Sequence, residues 1–185
     1  MGTKNFSTLK ELAYTNEHGT FADLRHYTIR IDKELLDNPD IADLHWLSTM
    51  CNGRNSYVYA RCKSSTSKSG YGTLYLHRMI LKPSKNKMAD HINGDVTDNR
   101  LCNLREATSR QSSINKGLNP KNNTGVHGVK RFERKGCLRW RVSIAIKTNK
   151  NKVRYFDSFE DAVAWRLHME ERLYKDFSPS KRSEQ

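Results

Sequence analysis

The sequence predicts an α+β protein in two parts: a mixed N-terminal unit, then a small three-stranded antiparallel sheet packed on one helix. Three observations carry this. Tyr27, Ile29 and Ile31 alternate with Thr28, Arg30 and Asp32, the period of a half-buried strand. The stretch 117–124, GLNPKNNT, has little to bury and divides the chain by composition. Beyond it, three strand-like runs precede one amphipathic helical stretch, so sheet and helix are segregated along the chain.

The balance of charge narrows the partner. Among 185 residues, 33 Lys and Arg stand against 20 Asp and Glu, a formal net charge of +13 that points to a polyanion. No basic amphipathic helix with an apolar face stands out, which favours nucleic acid over a membrane surface. With 36% hydrophobic residues and a mean hydropathy of -0.84, small domains with limited cores are expected. No apolar run approaches the length of a membrane span, and the acidic, h-region-free N-terminus does not read as a secretory signal. Cys51, Cys62, Cys102 and Cys137 are scattered, without the paired spacing of structural zinc. They read as free thiols in a reducing, cytoplasmic compartment.

In chain order, residues 1–26 lack a clear period. Leu9, Leu12 and Ala13 mark one helical turn and 20–26 a second, and no role is assigned to this segment. A strand follows at 27–31. Asn38-Pro39-Asp40 starts a short helix, with Asp40 as N-cap before Ile41, Leu44 and Leu47 and with Trp46 packing it onto the sheet. Residues 56–61 read as a strand, 63–72 as a hairpin loop and 73–81 as the next strand. Across a Lys/Asn-rich turn lies a second β-type run, 87–92, then a loop from Asn93-Gly94-Asp95 through Asn99. Thr108 and Gln111 fit a capping box opening a short polar helix to about Asn115. Past the linker come strands at 126–131, 138–147 and 152–156. Ser158 with Asp161 caps a helix to about Tyr174, with Phe159, Val163, Leu167 and Tyr174 on its stripe. Residues 177–185 read as a frayed basic tail.

The chemistry concentrates at Asp90-His91. Asp90 offers a hard oxygen ligand for a Mg²⁺-like ion, and His91 a base that titrates near neutral pH. Such a pair beside a phosphodiester makes hydrolysis chemically reasonable. Regular strand neighbours face opposite ways, so the two serve one phosphate only at a strand end or bulge.

At these residues the chain resembles a known family. DHINGDVTDNRLCNLREAT, with His91, Asn103 and then position 112 in order, is similar to HNH (ββα-metal) endonucleases of phages and mobile introns. Farther on, GVHGVKRFERKGCLRWRVSIAIKTNKNKVRYFDSFEDAVAWRLHMEERLY resembles an AP2/ERF-type DNA-binding domain. The resemblance implies an N-terminal segment 1–26, a nuclease domain 27–116 containing the ββα-metal motif, a linker 117–124, an AP2-like domain 125–177 and a basic tail 178–185. It implies one divalent cation, Mg²⁺ with Mn²⁺ as an option, no organic cofactor, and double-stranded DNA as partner of a monomer or homodimer. It places the protein in a bacterial host's cytoplasm if phage-encoded.

Residue by residue, His91 is the general base and Asp90 the metal ligand, while Asn103 ties the loop to the strands in support of the base. Position 112 is where the family supplies His or Asn as a second ligand. Ser112 stands there, a weaker donor, with Gln111 or Asn115 as substitutes after a small shift. His77 falls where the family often has His-Arg on the first motif strand, and is assigned to DNA phosphate or site support. Arg105 clamps a phosphate, stands as a solvated charge or pairs with Glu106. In the second part, alternation leaves Arg139, Arg141 and Lys147 on the free face, with Lys130, Arg154 and Tyr155 matching the flanking strands of the AP2-like pattern; such a face suits a DNA groove. The expected function is a nicking or cutting endonuclease. The alternatives are a DNA-binding regulator with a decayed nuclease motif and an RNA-binding basic protein.

Overall fold

The computed structural model describes residues 7–51, 54–63, 68, 71–147 and 150–184. The chain is mixed α+β, with small antiparallel sheets and few helices. It divides into two compact units, Met1–Ala107 and Thr108–Gln185, with the short polar helix in the second.

The first unit opens with α1 (Leu9–Leu12), capped by Thr8 and Glu11 in a reciprocal box, with Leu9 fully buried. Strands β1 (Ala13–Asn16), β2 (Gly19–Asp23) and β3 (Thr28–Ile31) form one sheet in that order. Where a helical turn is expected at 20–26, residues 20–23 are therefore strand and 24–26 connect it to β3. Its buried positions are Thr20 and Ala22, a polar and a small residue, which hydrophobic periodicity does not register. In β3, Ile29 and Ile31 are buried as the alternation predicts.

Helix α2 (Pro39–Ala42) is one turn long and is capped by Asn38, not Asp40: the Asn38 side chain accepts from the Asp40 N–H and Pro39 takes the first turn. Trp46 is buried, and its indole N–H donates to the Ile41 carbonyl at 2.8 Å. Strands β4 (Met50–Cys51) and β5 (Arg54–Asn55) pair, as do β6 (Tyr59–Lys63) and β7 (Tyr71–Tyr75). The loop predicted at 63–72 lies largely outside the described residues.

The strand predicted at 73–81 ends early. Residue 76 begins α3 (Leu76–Leu81), because Leu76, Met79 and Ile80 share one face and pack on the core. A continuous apolar run fits a buried helix as well as a strand. Lys82, left-handed at φ 49°, ends the helix before Pro83. Strand β8 (Met88–His91) then pairs with β9 (Leu104–Ala107), a strand in a stretch to which the sequence assigns no element. Its burial, with Leu104 and Ala107 buried, Arg105 half-buried and Glu106 exposed, does not alternate with period two. Leu9, Ile29, Ile31, Ile41, Trp46, Val58 and Leu76 share the unit's core.

The second unit begins with α4 (Ser109–Ile114), opened by the predicted Thr108–Gln111 box. Strands β10 (Val129–Arg134), β11 (Cys137–Lys147) and β12 (Lys150–Phe156) form an antiparallel sheet, and α5 (Phe159–Tyr174) packs on it with Ser158 as N-cap. Val129, Val142 and Ala162 make the buried centre, flanked by Trp140 and Phe159 at 4.7 Å between rings.

The buried stripe of α5 differs from expectation. Ala162, Arg166, Met169, Glu170 and Tyr174 are buried, whereas Leu167 is exposed. Arg166 and Glu170 reach burial as an ion pair at 2.7 Å, with Arg166 also donating to the Ser143 carbonyl and Ser178 to Glu170. Ser178 is thus buried, and 179–184 form 3-10 turns where a frayed tail is expected. Beyond β10, the edge of β11 is met by side chains: Tyr174 Oη bonds the Ala145 N–H and C=O, and Arg110 donates to the Ile146 carbonyl. An edge so occupied is a poor template for another strand. Among the described residues, no helix is long and apolar enough to cross a membrane, and Cys62, Cys102 and Cys137 are free thiols.

Candidate active site and nucleic-acid interface

Asp90 and His91 close β8, where the chain turns into the loop 92–103 that leads to β9. The turn begins at once, with Gly94 N–H donating to the His91 carbonyl and Gly94 at φ 76°. The loop is held by its own short polar side chains. Asn103 accepts from the Asn93 N–H at 3.1 Å and donates to the Asp98 carbonyl at 2.8 Å. Asp95 accepts from the Thr97 N–H and hydroxyl, and Arg100 forks onto Asp98 at 2.6 and 2.8 Å. Burial alone would raise the Asp98 carboxyl, but the hydrogen bonds and charge of Arg100 outweigh it and hold it below its usual range.

The N-terminal sheet carries this loop. Arg30 N–H donates to the Thr97 carbonyl, Asn99 N–H to the Arg30 carbonyl and Leu101 N–H to Asp32, each at 2.7–2.8 Å. Residues without an assigned role in the sequence thus build the sheet whose edge strand fixes the loop.

His91 is buried, with Nε2 at 3.4 Å from Asn99 Oδ1. A carboxamide oxygen only accepts, so this pairing puts the proton on Nε2 and the lone pair on Nδ1. Burial lowers the His91 pKa below its ordinary value, against the opposing pull of Asn99, Asp90, Asp95 and Asp98. His77, expected on a strand facing DNA, lies instead in the first turn of α3 and is 6% exposed. Its ring centroid is 5.3 Å from that of His91, and its buried Nδ1 has no hydrogen-bond partner. Burial, with the charges of His91 and Arg78, lowers its pKa to about 3, so it is a neutral packing ring. Tyr57 stacks on His77 at 4.7 Å and lies 6.0 Å from His91. Burial first, then the Asp90 charge, raises the Tyr57 pKa and keeps the phenol protonated.

Asp90 is also buried, and its cross-strand partner Arg105 donates Nε–H to Oδ2 at 3.2 Å. Arg105 therefore pairs with Asp90, while Glu106 accepts from the Ser84 N–H and hydroxyl. Among the described residues no group of three or more His, Cys, Asp or Glu is placed to hold a metal. A Mg²⁺ ion asks for less: one or two carboxylates, with waters and substrate phosphate completing its shell. Asp90 supplies one such carboxylate, which here is paired with Arg105. Ser112 lies half-buried on α4, in the second unit.

On the second unit, β-register sorts the expected DNA-binding residues. Lys130, Arg141 and Tyr155 stand opposite one another in one row across the three strands, with Phe132 and Arg139 in the next. This is the face away from Val142 and α5. Arg139 pairs with Asp157 at 2.8 Å, and Phe132 packs on Tyr155 at 5.2 Å. Arg154 does not join the row. It is register partner to Val142 and its guanidinium lies over Phe156, on the helix side. Lys147 also leaves it: a bulge after Ala145 pairs Lys147 with Lys150, in the alternation of Arg154.

Tyr57 and the pairing of Arg105 with Asp90 are the features sequence reasoning misses. The Arg105 contact was discoverable only by pairing 88–91 with 104–107; nothing local marks Tyr57. No family model matches this chain, and no curated protein or solved structure matches it.

Proposed function

We propose that the protein is a metal-dependent DNA endonuclease of the HNH type, with its catalytic residues on the β8–β9 hairpin of the first unit, and with the sheet of the second unit as its DNA reader. The observation that carries this is the buried Asp90-His91 pair at a strand end, above a loop cross-braced by Asn103, with the imidazole held by Asn99. The resemblance of 90–108 to HNH endonucleases supports the same reading.

His91, neutral at working pH, takes a proton from a water molecule as that water attacks phosphorus. The P–O3′ bond breaks, and the 3′ oxygen leaves and is protonated by solvent, giving a 5′-phosphate and a 3′-hydroxyl. Asn99 keeps the ring in the tautomer that can accept, and Asn103 keeps the loop from relaxing around it. Bound at Asp90, a divalent cation would neutralise charge developing on the leaving oxygen. Arg105, donating to Oδ2, holds that carboxylate aimed. On the reader, Arg141, Lys130 and Tyr155 meet phosphates and base edges.

Supercoiled plasmid with Mg²⁺ or Mn²⁺, and with EDTA, tests the reading. Wild type is expected to nick only with metal, and His91→Ala to lose at least about a hundredfold in rate. The second reading, a DNA-binding regulator with a decayed motif, draws on the Asp90–Arg105 ion pair, which satisfies the carboxylate without a metal. Tight duplex binding with no cleavage under either ion would select it.

A further inference from the structure

We propose that the tyrosine-rich face leading to His91 is a stacking platform for an unpaired nucleobase of the substrate strand, an inference that rests on the nuclease reading and deepens it. Along β7, exposed Tyr71, Thr73 and Tyr75 alternate with half-buried Gly72 and Leu74, so the three share one face. Tyr75 meets Tyr57 edge-on at 6.3 Å, Tyr57 stacks on His77 at 4.7 Å, and His77 lies 5.3 Å from His91. A row of rings thus runs from solvent to the buried imidazole.

The outer rings are not spent on the core. Tyr57, Tyr71 and Tyr75 are 43%, 52% and 38% exposed, and none belongs to the hydrophobic cluster of this unit. Arg61, register partner of Thr73, holds its guanidinium 5.7 Å from the Tyr71 ring centroid. Exposed aromatic faces interleaved with a cation suit one ligand chemistry: flat bases carried on a phosphate backbone. The protonated Tyr57 phenol adds no charge that would repel phosphate. Bases paired within a duplex hide their faces against their neighbours, so the platform favours a base out of the stack, next to the phosphate His91 would act on.

The test is fluorescence anisotropy of the full chain, in EDTA, with a short labelled single strand and with its duplex. Tyr57→Ala/Tyr75→Ala should weaken single-strand binding by about tenfold or more, while Tyr57→Phe/Tyr75→Phe stays within about twofold and duplex binding is hardly changed. Tyr71→Ala, at the outer end and clear of the core, should lose about threefold and guards against a folding artefact. Unchanged single-strand affinity, equal loss by the Phe pair, or equal loss on duplex each overturns the platform. A wild type that binds single strands but never nicks plasmid overturns the nuclease reading and leaves the platform standing. One that nicks without binding single strands does the reverse.

Discussion

At the scale of single residues, His77 is the clearest case of a side chain whose protonation the fold opposes. In the unfolded chain it titrates near 6.5, whereas in the folded state it stays neutral down to about 3. Between these values the unfolded state binds more protons, so stability is full above pH 6.5 and falls as pH drops through the window. From pH 7 to 4.5 the loss from this one group is roughly 2–3 kcal/mol. His77→Phe keeps a ring against Tyr57 and removes the titration. Urea denaturation at the two pH values should therefore show a smaller drop for His77→Phe than for wild type. An equal drop would mean that other groups carry the acid sensitivity. Asp90 and His91 were legible at this scale because their chemistry is written in two adjacent letters. Tyr57 was not, since its partners His77 and His91 are distant in sequence and only the fold stacks them.

At the scale of elements, closure of the second sheet depends on a glycine. Gly128 has φ +69°, and a Cβ there would collide with the Ser143 carbonyl and crowd the Arg166 guanidinium. The obstacle is backbone of β11, which also accepts from buried Arg166 and cannot move alone. Gly128→Ala should cost at least about 2–3 kcal/mol, read as a lower melting temperature. Gly136, at φ +76° with Lys135 also left-handed, sits in the tight turn between β10 and β11 with open space around it. Gly136→Ala should cost only about 1–2 kcal/mol, the conformational penalty alone. Helix caps at Thr108 and Ser158 were readable because capping is encoded within four residues. The buried face of α5 was not, because Arg166 and Glu170 count as polar until the structure shows them paired.

At the scale of the whole molecule, the charge of +13 includes cations on both faces of the second sheet. Arg141 stands in the exposed row with Lys130 and Tyr155, whereas Arg154 lies on the helix side. For duplex binding, Arg141→Ala should weaken affinity and reduce the slope of log K against log salt by about one, while Arg154→Ala leaves the slope nearly unchanged. Titrations at several salt concentrations separate the two; equal effects would remove the face from the proposal. By itself the sequence determined the α+β class, the strand at 28–31, the three strands and long helix of the second unit, and the caps at Thr108 and Ser158. All of these are signals of period, composition or spacing contained in a few consecutive residues. Only the tertiary structure decided that 88–91 pairs with 104–107, that Arg105 meets Asp90, that β3 carries the loop of the site, and that Tyr57 covers its imidazoles. Register and stacking join segments far apart in the chain, and their energy exists only once those segments meet.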